Sequence, residues 1–241
     1  MQIKTRAIVL HSTKYGESQI IVDFFTEDIG RLSFAVRLAK SSKSKMKRQY
    51  FQPFMLLELE FDYRKNANLQ KIKDLSVASP LADLPANPYK ISICLFLSEF
   101  LRFSTRNEQC NRPLFSYLQM SIRWLDAAPT SVCANFHIVF MIRLSIFLGF
   151  FPNSDELQNP YFDMQEGRFV ASPSLNGTCL GKEDSLKLRT LLRLNFQNMH
   201  LYAMSHHERN YCVGMILKYY KLHVPSFPEL KTLAVLQELF A

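Results

Sequence analysis

Met55-Leu56-Leu57-Glu58-Leu59-Glu60-Phe61-Asp62-Tyr63 decides the fold class of the amino-terminal part. Met55, Leu57, Leu59, Phe61 and Tyr63 share one side, and Leu56, Glu58, Glu60 and Asp62 the other. That is the period of two of a half-buried strand. Residues 31–38 repeat it, with Leu32, Phe34, Val36 and Leu38 inward and Arg31, Ser33, Ala35 and Arg37 outward. Residues 3–13, 19–27 and 69–77 are rich in Ile, Val, Phe and Thr, and turn residues punctuate them at Tyr15-Gly16-Glu17, Asp28-Ile29-Gly30 and Lys65-Asn66-Ala67-Asn68. Five strands in the first eighty residues predict a small barrel. The connection spanning 39–53 is long, polar and basic where a hairpin needs about two to five residues. It falls between the third and fourth strands, where an OB-type barrel also carries a long connection.

After Pro80 the period changes. Pro80, Pro85 and Pro88 mark residues 81–88 as a linker ending in a proline-started helix. Ile93, Phe96, Leu97, Phe100 and Leu101 then recur at helical spacing, as do Cys212, Met215, Ile216, Tyr219 and Tyr220. Further helices are predicted at 112–127, 131–150, 183–196 and 230–240, with an irregular insert at about 152–181 that holds a short hairpin around Glu166-Gly167-Arg168. The expected architecture is α+β: a five-stranded OB-type β-barrel at 1–80, followed by an all-helical domain at 81–241. With 48% hydrophobic residues, 20 Phe and 10 Tyr, the 241-residue chain has ample material for a core.

Lys and Arg number 29 against 21 Asp and Glu, a net charge of +8 that makes a polyanion the first partner to consider. The surplus sits on the barrel, where residues 1–80 hold 14 Lys and Arg against 8 Asp and Glu. Within it Arg31, Arg37, Lys40, Lys43, Lys45, Lys47 and Arg48 follow one another without an acid, interleaved with Ser41, Ser42 and Ser44 and followed by Tyr50 and Phe51. Cations beside aromatic rings suit phosphates and bases together. The bland alternative is a solvated loop. A membrane-surface helix wants large apolar residues among the lysines, and residues 41–49 supply Met46 alone.

Enzyme chemistry finds little support. The seven glycines, at 16, 30, 149, 167, 177, 181 and 214, are not spaced for GxGxxG or a P-loop, and no GxSxG, HExxH or CxxC occurs. His206 and His207 point about 100° apart on a helix and make a poor metal pair with Cys179 and Cys212. Neither cofactor nor metal is predicted. Five widely spaced cysteines, an amino terminus without a signal-peptide pattern, and a longest apolar run (138–151) broken by Arg143 and Ser145 read as a reduced, cytoplasmic, non-membrane protein. Arg143 itself needs a partner or an exit to solvent. It either snorkels or pairs within the fold, or it anchors a carboxylate ligand.

Ile3-Lys4-Thr5-Arg6-Ala7-Ile8-Val9-Leu10, Tyr15-Gly16-Glu17-Ser18, Gly30-Arg31-Leu32-Ser33 and Gln52-Pro53-Phe54 resemble, in order and spacing, the amino-terminal barrel of the bacterial DNA repair family RecO. Arg143-Leu144, Leu148-Gly149-Phe150, Pro152 and the ending Phe227-Pro228-Glu229-Leu230-Lys231 extend the resemblance nearly end to end. It implies an OB-fold that binds single- and double-stranded DNA, in a non-enzymatic, nucleoid-associated mediator of the RecFOR pathway. Such a mediator anneals complementary strands and helps load RecA onto strands covered by single-strand-binding protein. RecR and the acidic carboxy-terminal tail of single-strand-binding protein are the implied partners. The family's cationic positions fall on Arg31, Arg37 and Lys40, with Lys43, Lys45, Lys47 and Arg48 in its variable basic loop. Arg102, Arg123 and Arg143, cations beside apolar residues, are the candidate anchors for the tail, with Arg143 first because it lies in a matched motif and has no acid beside it in sequence. Two departures stand out: the four cysteines that hold zinc in many members are missing, with none between Pro152 and Cys179, and Met141 stands where the family commonly has an acid. The alternative reading is an OB-fold RNA-binding protein of another pathway.

Overall fold

The computed structural model describes residues 1–38, 46–106, 108–174 and 177–239. Five antiparallel strands open the chain: β1 (Gln2–Tyr15), β2 (Gln19–Thr26), β3 (Gly30–Arg37), β4 (Leu56–Asp62) and β5 (Ile72–Val77). They lie in the order β3-β2-β1-β4-β5. The sheet curls toward closure without a continuous ladder. Among the described residues a parallel bridge on the closing side pairs Phe34 with Gln70, whose N–H donates to Ser33 O at 2.8 Å while its carbonyl accepts from Ala35 N at 3.0 Å. Of the inward residues read from the alternation, Phe34, Val36, Leu57, Leu59 and Phe61 are buried in the core, joined by Val22 and Phe24 of β2, while Leu56, read as outward, is buried as well. Phe34 meets Phe24 and Phe61 edge-on, at 5.3 and 4.9 Å between ring centroids. A 3₁₀ turn at Arg48–Phe51 leads to Phe54, which adopts a left-handed backbone (φ 68°). That strain in a bulky residue is held by full burial of the ring and by its N–H on Val9 O.

The strands give way to helices near residue 80, and the described chain divides into two compact units, residues 1–127 with 230–236, and residues 128–229 with the chain from Gln237. In the first unit α1 (Pro88–Ser104) lies on β1, where the Ser98 hydroxyl donates to Leu10 O. This explains why Ala7, Ile8, Val9 and Leu10 are all buried in a strand that alternates elsewhere: one face meets the barrel interior and the other the helix. Asn87 caps α1 at Tyr89 N and Lys90 N, with Pro88 at its first position. From α2 (Arg112–Ala127), Asp126 accepts the N–H groups of Ala82, Asp83 and Leu84 at 2.8–3.0 Å. The fully buried Lys90 ammonium donates to Asp126 O and to Asp83. The segment read as a linker is therefore pinned between α1 and α2.

In the second unit α3 (Phe136–Phe147) is apolar nearly all round and packs against α4 (Lys182–Arg193) and α5 (His206–His223). The helix starts later than the pattern 131–150 suggested, because Pro129 and a 3₁₀ turn at Thr130–Val132 occupy the approach. The insert contains the expected hairpin, β6 (Tyr161–Asp163) with β7 (Arg168–Val170), plus a third strand β8 (Cys179–Leu180). Asp163 organises it by accepting from Gln165 N, Glu166 N and the Thr178 hydroxyl, and the Cys179 sulfur takes the Ser174 N–H. The last helix is α6 (Leu233–Leu239).

His137 on α3 is buried, and burial followed by the Arg209 charge pushes its imidazole down to about 3. The folded state then stays neutral where the unfolded chain takes up a proton near 6.5. Stability therefore falls as pH drops from about 6.5 toward 3. Between pH 7 and 5 the expected loss is about 2 kcal/mol. Thermal melts at the two pH values should show a shift that is smaller in His137→Gln, and an equal shift in the two proteins would contradict this.

Candidate nucleic-acid interface

The cross-strand registers define the outward face of β1, β2 and β3. Tyr15 pairs with Gln19 and Gln19 with Arg37; Thr13 with Ile21 and Ile21 with Ala35; His11 with Asp23 and Asp23 with Ser33. Residues directly opposed in a sheet project to the same side. These three rows have different surroundings. The row His11-Asp23-Ser33 lies under α1 and is closed by ion pairs. Asp23 accepts from Ser33 at 2.6 Å, from Arg102 of α1 at 3.2 Å and from Arg31 at 3.3 Å, and Arg31 also donates to Arg102 O.

The row Tyr15-Gln19-Arg37 is open. Arg37 is exposed at the end of β3, and Tyr15 keeps 60% of its surface at the end of β1. Beside this row runs a groove of about 390 Å³ lined by Gln19, Ala35, Val36, Arg37, Met46, Lys71 and Ile72. Two cations, an amide and four apolar side chains thus meet on a barrel surface between β3 and β5. The arrangement suits a phosphate backbone with its bases laid along the sheet.

The seven expected cations fall into different environments. Arg37 lines the groove. Arg48 is exposed and Lys47 half-buried at the 3₁₀ turn, next to Tyr50, which packs on the barrel core. Lys40, Lys43 and Lys45 lie outside the described residues. Arg31 is held internally, and burial draws its guanidinium below the usual arginine range although Asp23 opposes the shift. His11, in the same row, is likewise lowered by burial and then by Arg102. Lys71 was missed by sequence, since it sits as one of several cations on the approach to β5 and only the Phe34–Gln70 bridge brings it beside Arg37.

Arg143 caps a helix. Its guanidinium donates to Leu194 O at 2.8 and 3.3 Å and to Leu192 O at 3.3 Å, at the carboxy-terminal end of α4. Cations there meet the negative end of the helix dipole and the carbonyls left without intrahelical partners. Its most direct role is thus joining α3 to α4. No group of three or more potential metal ligands occurs among the described residues, and no described helix is long and apolar enough to cross a membrane.

The chain matches the family description "Recombination protein O N terminal" over residues 1–81 and "Recombination protein O C terminal" over residues 85–233. It is 45% identical over 239 residues to a "DNA repair protein RecO" of Phocaeicola vulgatus, with 99% of each chain covered. The same name belongs to a Bacteroides fragilis protein, 46% identical with 98% of each chain covered. A Flavobacterium johnsoniae protein of that name is 35% identical over 242 residues, with full coverage of both.

Proposed function

The chain belongs to the RecO family of DNA repair and recombination proteins, and from that premise we propose that it is a non-enzymatic mediator that binds single- and double-stranded DNA through its barrel. It anneals complementary strands and helps RecA load onto single strands covered by single-strand-binding protein, acting with RecR in the cytoplasm at the nucleoid. The observation that carries the DNA-binding part is the open outer row and groove, where Arg37 and Lys71 flank a surface of Ala35, Val36, Met46 and Ile72. Backbone neutralisation is a sequence-independent source of affinity, which is what an annealing protein needs.

The tail of single-strand-binding protein is assigned to the second unit. The apolar cavity there, lined by Ile142, Pro152, Phe162, Leu188 and Met215, holds only about 20 Å³ and has no room for a side chain, so the assignment rests on the family resemblance and on the chemistry of an acidic tail that ends in an apolar residue. With Arg143 engaged at α4, the proposal does not depend on that residue as the anchor.

One assay tests the reading. Full-length protein mixed with complementary oligonucleotides should speed annealing with no nucleotide added, keep doing so when the strands are coated with single-strand-binding protein, and fail on strands coated with its tail-less form. No acceleration on naked strands would remove the mediator reading. Equal activity on both coated substrates would remove the tail. An excess of RNA competing as well as DNA would favour the RNA-binding alternative.

A further inference from the structure

The long β1–β2 hairpin stays paired to its end, where Tyr15 opposes Gln19 before the turn at Gly16-Glu17-Ser18. Gly16 takes the left-handed conformation that the turn requires (φ 77°), so the ring of Tyr15 is carried on a strand rather than on an irregular loop. The ring is 60% exposed. A single exposed aromatic residue is ordinary by itself. Its placement is what gives it meaning, because the register sets Tyr15, Gln19 and Arg37 in one line across three strands. Gln19 and Arg37 belong to the same groove as Lys71.

We propose that Tyr15 is a stacking platform for an unpaired nucleobase whose neighbouring phosphates are held by Arg37 and Lys71. The assignment rests on the DNA-binding reading of this face and adds to it a division of labour. Arg37 and Lys71 supply affinity that depends on salt and is shared by single strands and duplexes. The Tyr15 ring supplies affinity that depends little on salt and exists only where a base face is uncovered. In a duplex both faces of an internal base are occupied by its neighbours in the stack, so the ring has nothing to cover. Every base has such a face, so the contact is tolerant of sequence. Gln19, between the ring and Arg37 in the row, offers an amide to a base edge or sugar without demanding one base.

Sequence alone did not reveal this. Tyr15 reads as a turn residue beside Gly16, and the seven cations of residues 31–50 lie well beyond it in the chain. Only the pairing of β1 with β2 and of β2 with β3 brings the ring into line with Arg37.

The test compares full-length variants on a single-stranded oligonucleotide, a duplex of equal length and a single strand containing abasic sites. Tyr15→Ala should weaken single-strand binding by about five- to a hundredfold, leave duplex binding and the salt slope unchanged, and show a smaller loss on the abasic strand. Tyr15→Phe should bind as the parent does. Tyr15→Trp in a Trp124→Phe background leaves one Trp in the chain, whose fluorescence should be quenched by the single strand and hardly at all by the duplex. If Tyr15→Ala binds like the parent while Arg37→Glu with Lys71→Glu binds weakly, stacking is overturned and the interface stands. If none of these variants changes binding, both fail. Equal losses on single strand and duplex, or a loss in Tyr15→Phe as large as in Tyr15→Ala, would also overturn stacking.

Discussion

Gly30→Ala is expected to lower the stability of the first unit by about 3–5 kcal/mol, because two costs fall on one methyl group. Gly30 opens β3 with φ 83°, a backbone that L side chains reach only under strain. An added Cβ would also lie 2.3 Å from the backbone oxygen of Gln109 and 2.9 Å from Cys110 N, inside any permissible contact. Backbone atoms cannot rotate away, so the segment before α2 must lift off the barrel. Several attachments lie along that approach: Arg112 donates to Asp28 at 2.7 Å, the Cys110 thiol to Glu27 O at 3.4 Å, and Arg6 joins Glu27 to Gln119. Gly16→Ala is the matched control, with φ 77° and nothing within 4 Å of the added atom. It should cost only the backbone strain, about 1–2 kcal/mol. In melts the Gly30 variant should fall roughly 10 °C and the Gly16 variant a few degrees. Equal shifts would mean that the close approach of Gln109 costs nothing.

Reversing Arg37, Lys47, Arg48 and Lys71 together to Glu, the two cations of the groove and the two at the 3₁₀ turn, should weaken DNA binding at low salt by about a hundredfold or more and reduce the single-strand salt slope by about 3 units. Affinity should fall alike for all sequences, because phosphates carry no base identity. Arg31 behaves differently. It shares Asp23 with Arg102, and both members of the Arg31–Asp23 pair are largely buried. Removing Arg31 should appear first as lost stability, with little change of salt slope in the protein that remains folded. A quadruple variant that keeps its affinity would move the DNA path off this face. A slope change in Arg31→Ala as large as in Arg37→Ala would show that the Asp23 pair opens to admit phosphate.

The strands and most helices were legible because their signals are local. Period two over residues 31–38 and 55–63, and period 3.6 around Phe96 and Met215, record which side of each element meets the core, and no partner needs to be known to read them. The basic stretch was legible for the same reason, as was the family, through short motifs such as Gly30-Arg31 and Gln52-Pro53-Phe54. Those motifs carry physical demands: a positive φ with a close backbone neighbour at Gly30, and a strained, buried Phe54 bonded to Val9.

Where each cation sits was decided only by contacts between distant residues. Arg31 and Arg37 occupy equivalent positions in one alternating strand, yet Arg31 is paired with Asp23 and backed by Arg102, whereas Arg37 lines a groove. Arg143 looked available within its apolar run, and three hydrogen bonds to the end of α4, about fifty residues on, give it work inside the fold. The 81–88 segment has a linker's composition but is fixed by the Asp126 carboxylate from α2. By itself the sequence determined where strands and helices form and which family the chain resembles, since periodicity and motif spacing are properties of neighbours along the chain. Tertiary structure decided which charges are left open to a ligand, since a charged side chain is neutralised by whatever approaches it in space, and neither a partner carboxylate nor a helix end announces itself in the residues alongside.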